Sequence, residues 1–524
     1  MKTLLVLGFA SFAASSRAVA EVRLHPLWSD HAVLQRDRPL PVRGEAAPGE
    51  IVRVRLGVRE ALATAGADGA FLAVLEAQPM AKEPLVLEAE APSGKATARD
   101  ILLGDVWLCG GQSNMEWSLD ACGTPEVVAT ADLPLVRHFA VEMRFAVAPR
   151  TTVRGSWTRC TPRHAGGFSA VGFHFARKVH AETGVPIGLL RSCVGGTNIE
   201  LWMSRGTLLG TPALEPFARA MRESLDLHQR ELATALPAIE AWAAAARNAL
   251  DSGRPIPEGP EWPEFPFGER MFRPRCTTLH NGMIAPLAGF AMRGALWYQG
   301  ESNAGDAAAC EQYIEKMKAL AAEWRSLFGD PELPFYYVQL AAWQAPHDDP
   351  GRVDEWALLR DAQRRAMALP RFGMASAIDL GEADDIHPRN KRDVGERLAA
   401  WALARQYGKA VQPCGPMYRE LRREGARLRV SFDHAGAGLV AATKEGHAPP
   451  RIEPEGRLRR FAIAGADRRW RWAEATIDGD TVVVSHPDVP EPVAVRYAFA
   501  INPEGANLYN RDGLPASPFR SDDW

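Results

Sequence analysis

At roughly 150 residues per domain, a chain of 524 residues has room for about three domains. Hydrophobic residues make up 46% and charged residues 24%, as in ordinary folded proteins, which excludes collagen, long coiled coils and low-complexity chains. The 61 basic and 64 acidic residues leave a net charge of −3 and form no long cationic run, so neither nucleic acid nor an anionic membrane surface is indicated as a partner.

The elements follow in chain order. Lys2, the apolar stretch Leu4 to Ala14 and the small residues Ala18-Val19-Ala20 read as a secretory signal peptide over residues 1–20. The apolar stretch is short for a bilayer, and no later segment resembles a membrane span, so the chain is expected to be exported, periplasmic or extracellular. Residues 21–103 have period two: Val52, Val54 and Leu56 alternate with Arg53 and Arg55, and Leu87, Ala89 and Ala91 with Glu88 and Glu90. That pattern predicts an N-terminal β-sandwich with one wet face. Residues 104–410 change character. The unbroken apolar runs Val106 to Cys109, Ile187 to Leu190, Ala295 to Tyr298, Phe335 to Leu340 and Met374 to Leu380 predict parallel strands buried on both faces. Helical spacing appears at Cys310, Tyr313, Met317, Leu320, Trp324 and Leu327, and again at Val394, Leu398 and Trp401. The class is therefore α/β, a three-layer α/β/α core with a parallel sheet. An insertion at about 212–270 interrupts it, first one or two helices and then five prolines between Pro255 and Pro266, and reads as a lid or flank. Residues 411–524 return to period two, with Asp478-Gly479 as a hairpin turn, and predict a C-terminal β domain.

Seven cysteines (109, 122, 160, 193, 276, 310 and 414) are too sparse and too few to define the fold by disulfides. No metal-binding spacing is present, so no metal and no cofactor is expected.

Ligands of open α/β sheets bind beyond the carboxyl ends of the strands. Three polar clusters follow apolar runs: Gln112-Ser113-Asn114, Gly196-Thr197-Asn198 and Gln299-Gly300-Glu301-Ser302-Asn303. Ser113 after Gly110-Gly111 sits where an exposed nucleophile would, yet Met115 replaces the second glycine of a G-x-S-x-G elbow, and a helix N-cap is the alternative use of that serine. Asp384-Asp385-Ile386-His387-Pro388 follows the last apolar run and supplies a histidine base with nearby acids, in the chain order Ser, Asp, His.

Together these motifs, with Gly104-Asp105-Val106-Trp107, Gly195-Gly196-Thr197, Trp297-Tyr298-Gln299-Gly300-Glu301-Ser302-Asn303 and Lys391, resemble the sialate O-acetylesterase family of SGNH-type hydrolases. His25-Pro26-Leu27 near the start and Leu508-Tyr509-Asn510 near the close extend the resemblance over most of the chain. It implies an SGNH-like core flanked by β domains, and an O-acetylated carbohydrate as substrate. Ser113 would be the nucleophile and His387 the general base and later acid. The oxyanion donors would be the Ser113 and Gly196 backbone N–H groups and the Gln299 side chain. The wider superfamily places its acid three residues before the histidine, which ranks Asp384 first, while Asp385 is the alternative partner or a helix cap. Gln112, Asn114 and Glu301 would support these groups, Glu301 as a structural carboxylate. Trp117 and Trp202 are the candidates for stacking on a sugar, whereas Trp297 is assigned to the core. Arg273, Arg275 and Arg389 lie near motif segments and are read as ordinary surface or ion-pair residues before carboxylate ligands. Two alternatives stand beside a sialate esterase: an acetylxylan or other polysaccharide acetylesterase with the same catalytic residues, and an inactive carbohydrate-binding homologue.

Overall fold

The computed structural model describes residues 21–264, 266, 276–454 and 456–524. The proposed signal segment 1–20, Arg273, Arg275 and the end of the insertion lie outside these residues.

The N-terminal unit is two facing sheets. Arg23–Leu24, Leu40–Glu45 and Ala70–Leu75 form one; Ile51–Leu56, Arg59–Thr64 and Ala81–Ala91 belong to the other. Alternation does what the sequence pattern implies: Val52, Val54, Leu56, Leu87 and Ala89 are buried, while the charges between them face outward. There Arg53 stands opposite Glu90 and Arg55 opposite Glu88, and the Arg55 guanidinium meets Glu88 at 3.0 Å. The strand that follows, β1 (Gly94–Gly111), is 18 residues long. Its first half pairs antiparallel with Ala81–Ala91, and its second half runs on as the middle of the central sheet. The expected boundary at 103/104 thus falls inside one continuous strand.

The central sheet adds β2 (Leu133–Ala140), β3 (Trp157–Cys160), β4 (Ile187–Cys193), β5 (Gly294–Tyr298), β6 (Phe335–Gln339) and β7 (Phe372–Ser376), in the spatial order β3-β2-β4-β1-β5-β6-β7. All neighbours are parallel except β3, which is antiparallel to β2 at the edge. The last apolar run is shorter as a strand than its hydrophobicity suggests: β7 ends at Ser376, and Ala377 to Leu380 form a turn closed by the Leu380 N–H on Ala377 O.

Helices cover both faces, and alternation along β1 assigns them. Trp107 packs on Phe175 of α2 (Ala170–Thr183), and Cys109 faces Gly172 of the same helix, where an added Cβ would come within 3.1 Å of the cysteine sulfur. Gly110, one residue on, faces the opposite layer, where Trp324 of α4 (Ala307–Leu327) meets Trp297 edge-on. The insertion is a single 37-residue helix, α3 (Glu215–Asp251), with Pro237 inside it, followed by a segment without regular structure whose Pro257 carbonyl accepts from Trp242.

The C-terminal residues fold into antiparallel sheets with their own core of Leu428, Val430, Ile463, Val482, Val484 and Val495. Two buried arginines join this unit to the central α/β core. Arg360, on α5 (Glu355–Arg365), donates to the carbonyls of Leu340, Ala341, Ala500 and Ile501. Burial among neutral acceptors pushes its guanidinium down to about 9. Arg397, on α6 (Lys391–Gln406), grips both oxygens of Asp379, whose carboxylate also accepts from Tyr509 at 3.0 Å. All seven cysteines are buried and unpaired, and among the described residues no helix is long and apolar enough to cross a membrane.

Candidate active site

Four loops at the carboxyl ends of β1, β4, β5 and β7 meet on one rim. Gly111 closes β1 with φ +130°, and a Cβ there would lie 2.1 Å from the Tyr298 carbonyl, so only glycine lets the two strand ends approach. The chain then turns into α1 (Ser113–Glu116). Gln112, not Ser113, occupies the N-cap position, so the serine hydroxyl is not consumed in capping. It reaches His387 Nε2 at 2.8 Å, across 274 residues of sequence.

His387 sits in the loop between β7 and α6. Its imidazole stacks on Trp117, with ring centroids 4.9 Å apart and planes at 16°. Burial and the nearby Lys391 charge lower its basicity, while Asp385 opposes them. The acid beside the ring is Asp385: Oδ1 accepts the His387 backbone N–H at 2.8 Å and stands 3.4 Å from Nδ1. Asp384, ranked first by spacing, is instead at the exposed tip of the turn that the Asp385 N–H closes onto Glu382 O. Glu382 to Asp385 fold into a tight reversal bridged between those two residues, which leaves Asp384 at its exposed corner while Asp385 stands beside the ring. Arg389 pairs with Glu382 on the surface of the same loop.

The β4 loop lies against the nucleophile. A Cβ on Gly195 would be 3.2 Å from Ser113 Cβ. Gly196 has φ +67° and is exposed, and its N–H and that of Ser113 have no acceptor among the described residues. The Gly195 N–H is held at 2.7 Å by the Glu116 carboxylate, a residue the motif reading did not single out although it closes the helical turn begun by Ser113. Two free N–H groups beside a serine hydroxyl form a ready place for a developing negative oxygen.

Gln299 does not supply the expected third donor. It is fully buried, and its amide N–H groups are spent on Asn303 Oδ1 at 2.7 Å and Thr197 O at 3.1 Å, with Gln112 Oε1 a further 3.2 Å contact. A side-chain amide has two N–H bonds, and both are engaged. Its oxygen accepts from Tyr313 at 2.7 Å. Gln299 therefore ties the β4 and β5 loops together from below. A second unforeseen layer stands behind it: Glu200, ion-paired with Lys316 at 2.6 Å, accepts from Asn198 and Asn303. Each of these partners is distant in sequence, so no local pattern announces them.

Asn114 is buried, and its amide N–H groups go to Glu301 Oε1 at 2.6 Å and Ile386 O at 3.1 Å, while its oxygen accepts from Lys391. Glu301, expected as a structural carboxylate, holds the Asn114 amide, and burial raises its pKa. Of the two tryptophans proposed for sugar stacking, Trp202 has no free face, and Trp117 is half-buried with one face against His387. Trp202 is fully buried, edge-on to Trp297, with its N–H on Thr197 Oγ1 at 3.1 Å. Trp117 carries the imidazole. Trp297 is in the core, as assigned. Among the described residues no cluster of three or more histidine, cysteine or acidic side chains is arranged to hold a metal ion.

Comparison with known proteins places this geometry among relatives. The family model described as carbohydrate esterase, sialic acid-specific acetylesterase matches residues 103–235 and 268–404. A sialate O-acetylesterase of Mus musculus is 30% identical over 459 residues, covering 80% of this chain and 77% of the mouse protein. One from Pongo abelii is 29% identical over 452 residues, with 80% and 75% coverage. The crystal structure of a carbohydrate acetylesterase from Xanthomonas citri superposes with a TM-score of 0.78 at 37% identity, over 96% of this chain and all of the other.

Proposed function

The chain belongs to the sialic acid-specific carbohydrate acetylesterase family and is a carbohydrate O-acetylesterase; on that premise we propose that it is exported and removes acetyl groups from O-acetylated sialic acid by serine catalysis. The observation that carries the mechanism is the 2.8 Å approach of Ser113 Oγ to His387 Nε2 beside two unpaired backbone N–H groups.

The chemistry follows from those atoms. His387, whose basicity burial and the Lys391 charge lower, accepts the Ser113 proton as Oγ attacks the acetyl carbonyl. The carbonyl oxygen becomes negative and is held by the Ser113 and Gly196 N–H groups. The imidazolium then gives its proton to the departing sugar hydroxyl, leaving an acetyl-serine. Water, deprotonated by the same imidazole, releases acetate and restores the hydroxyl. Asp385 favours the imidazolium that forms in both steps and fixes the loop through the His387 N–H.

The single test is acetate release from a matched panel of O-acetylated sialic acid, xylan and pectin fragments, run on the wild-type chain and Ser113→Ala. Preference for the sialic acid with at least a thousandfold loss in the variant supports the reading, an order-of-magnitude expectation for removing a nucleophile. Preference for xylan would move the substrate to a plant polysaccharide, and undiminished activity of Ser113→Ala would overturn serine catalysis.

A further inference from the structure

Behind the Ser113–His387 pair lies a cation that this mechanism uses only as a neighbour. Lys391 opens α6, four residues after His387, and its side chain is fully buried. An ammonium has three N–H donors and is costly to take out of water. Among the described residues Lys391 has one hydrogen-bond acceptor, Asn114 Oδ1. The rest of its surroundings include two aromatic faces: Nζ lies 5.4 Å from the ring centre of Trp117 and 5.7 Å from that of Tyr298, within reach of a cation–π attraction.

Asn114 and Trp117 both belong to the turn after β1, and Tyr298 ends β5. Asn114 follows the nucleophile and passes its own N–H groups to Glu301, in the loop after β5, and to the carbonyl of Ile386, the residue before His387. Trp117 is the ring on which the imidazole rests. The groups facing His387 are Asp385 from its own loop, Lys391 from α6, and the Ser113 hydroxyl with Trp117 from the turn after β1. Glu301, Glu382 and the Cys122 thiol act on Lys391 in turn. Burial pushes the ammonium down to about 8 and raises Glu301, while the attraction between the two groups, bridged by one amide, opposes both shifts.

We propose that Lys391 is a positioning residue for ester hydrolysis: through Asn114 and Trp117 it locks the Ser113 turn, the Glu301 loop and the His387 loop into one arrangement, and its charge, offset by Glu301, acts on the imidazole. The proposal rests on the assignment of Ser113 and His387 above. It is tested in the full chain by Lys391→Met and Glu301→Gln, following the titration of the His387 ring by NMR together with kcat and KM.

Removing the cation should move the His387 titration to higher pH by about 0.5 to 1, and removing the anion, which faces Lys391 and not the ring, should move it to lower pH by a smaller amount. Both variants should lose about tenfold or more in kcat with KM within about threefold, the pattern of misplaced catalytic groups. Lys391→Arg, which keeps the charge, should leave the titration near the wild-type position. Titrations that stay put, or shift in the same direction in both variants, would overturn the proposal; if Lys391→Met does not fold, an unmoved His387 in Glu301→Gln does so alone. An active Ser113→Ala would instead overturn the underlying assignment, so the two failures are distinguishable.

Discussion

Asparagine at position 385 isolates the charge of the acid beside His387 from its role in the loop. The amide oxygen of Asp385→Asn can still accept the His387 backbone N–H, now received at 2.8 Å, so the turn should keep its shape. What disappears is the negative charge 3.4 Å from Nδ1. Coulomb's law at that distance gives about 1 kcal/mol with the dielectric of water and about 5 with an effective value near 20. Both side chains are between a quarter and a third exposed, which places the interaction toward the screened end, roughly 1.5 to 3 kcal/mol. Because the imidazolium forms on the way to each transition state, that loss falls on kcat and corresponds to about ten- to a hundredfold. The sign of the pH effect is fixed as well. Asp385 raises the histidine's affinity for a proton, so without its charge the acid limb of kcat/KM moves to lower pH even as the plateau drops. Asp384→Asn, at the exposed tip, should change neither quantity by more than about twofold. Steady-state hydrolysis of p-nitrophenyl acetate across the acid limb reads all of these values. Full activity in Asp385→Asn, or a tenfold loss in Asp384→Asn, would refute the placement of the acid.

Further outcomes follow from other contacts. The wild-type acid limb should have its midpoint below the usual imidazole value of about 6.5, since burial and Lys391 lower His387; a midpoint above 6.5 would contradict this. Gly111→Ala and Gly196→Ala should part company. The first places a methyl group 2.1 Å from the Tyr298 carbonyl and should cost about 3 kcal/mol or more, read as a lower Tm or loss of soluble protein; the second has open space and only a strain of about 1 to 2 kcal/mol, so it should fold but lose kcat as the Gly196 N–H shifts. Arg360→Met leaves the Leu340 and Ala500 carbonyls without this donor, while Ala341 O keeps the Trp356 indole N–H and Ile501 O the Trp343 N–H, and should destabilise the chain by about 2 to 4 kcal/mol in denaturant titration. Trp202→Phe should lower stability while leaving KM for an acetylated sugar unchanged, because the indole lies under the loop and not in the substrate's path.

The parts of this site legible in the sequence are those marked by local pattern. An apolar strand ending in glycines announces where Ser113 must emerge, and a histidine after the last such strand announces its partner. Of the two acids before His387, spacing ranks Asp384 first, yet Asp385 is the one beside the ring, because periodicity does not show that Glu382 to Asp385 fold back and leave Asp384 at the corner. Burial is the second thing a pattern hides. Trp202 and Gln299 stand at the rim in sequence terms, yet one lies beneath the β4 loop and the other spends its amide on Thr197 and Asn303. The third is any contact between distant segments: Glu116 on the Gly195 N–H, and Glu200 with Lys316, have no signature until the loops are brought together.

The strand from Gly94 to Gly111 begins in the accessory sandwich and ends one residue before the nucleophile's cap. A chain starting at Gly104 would keep Ser113 and His387 but would lose the first half of that strand, with the buried Ile101, Leu102 and Leu103, and the segments Val33–Gln35 and Ala81–Ala91 that pair with it. The sandwich is thus no detachable appendage that evolution or engineering can exchange by cutting at a linker. Recombination in this architecture has to respect a shared beam, and swaps of the N-terminal unit should succeed only where the donor brings its own matching strand through to the serine.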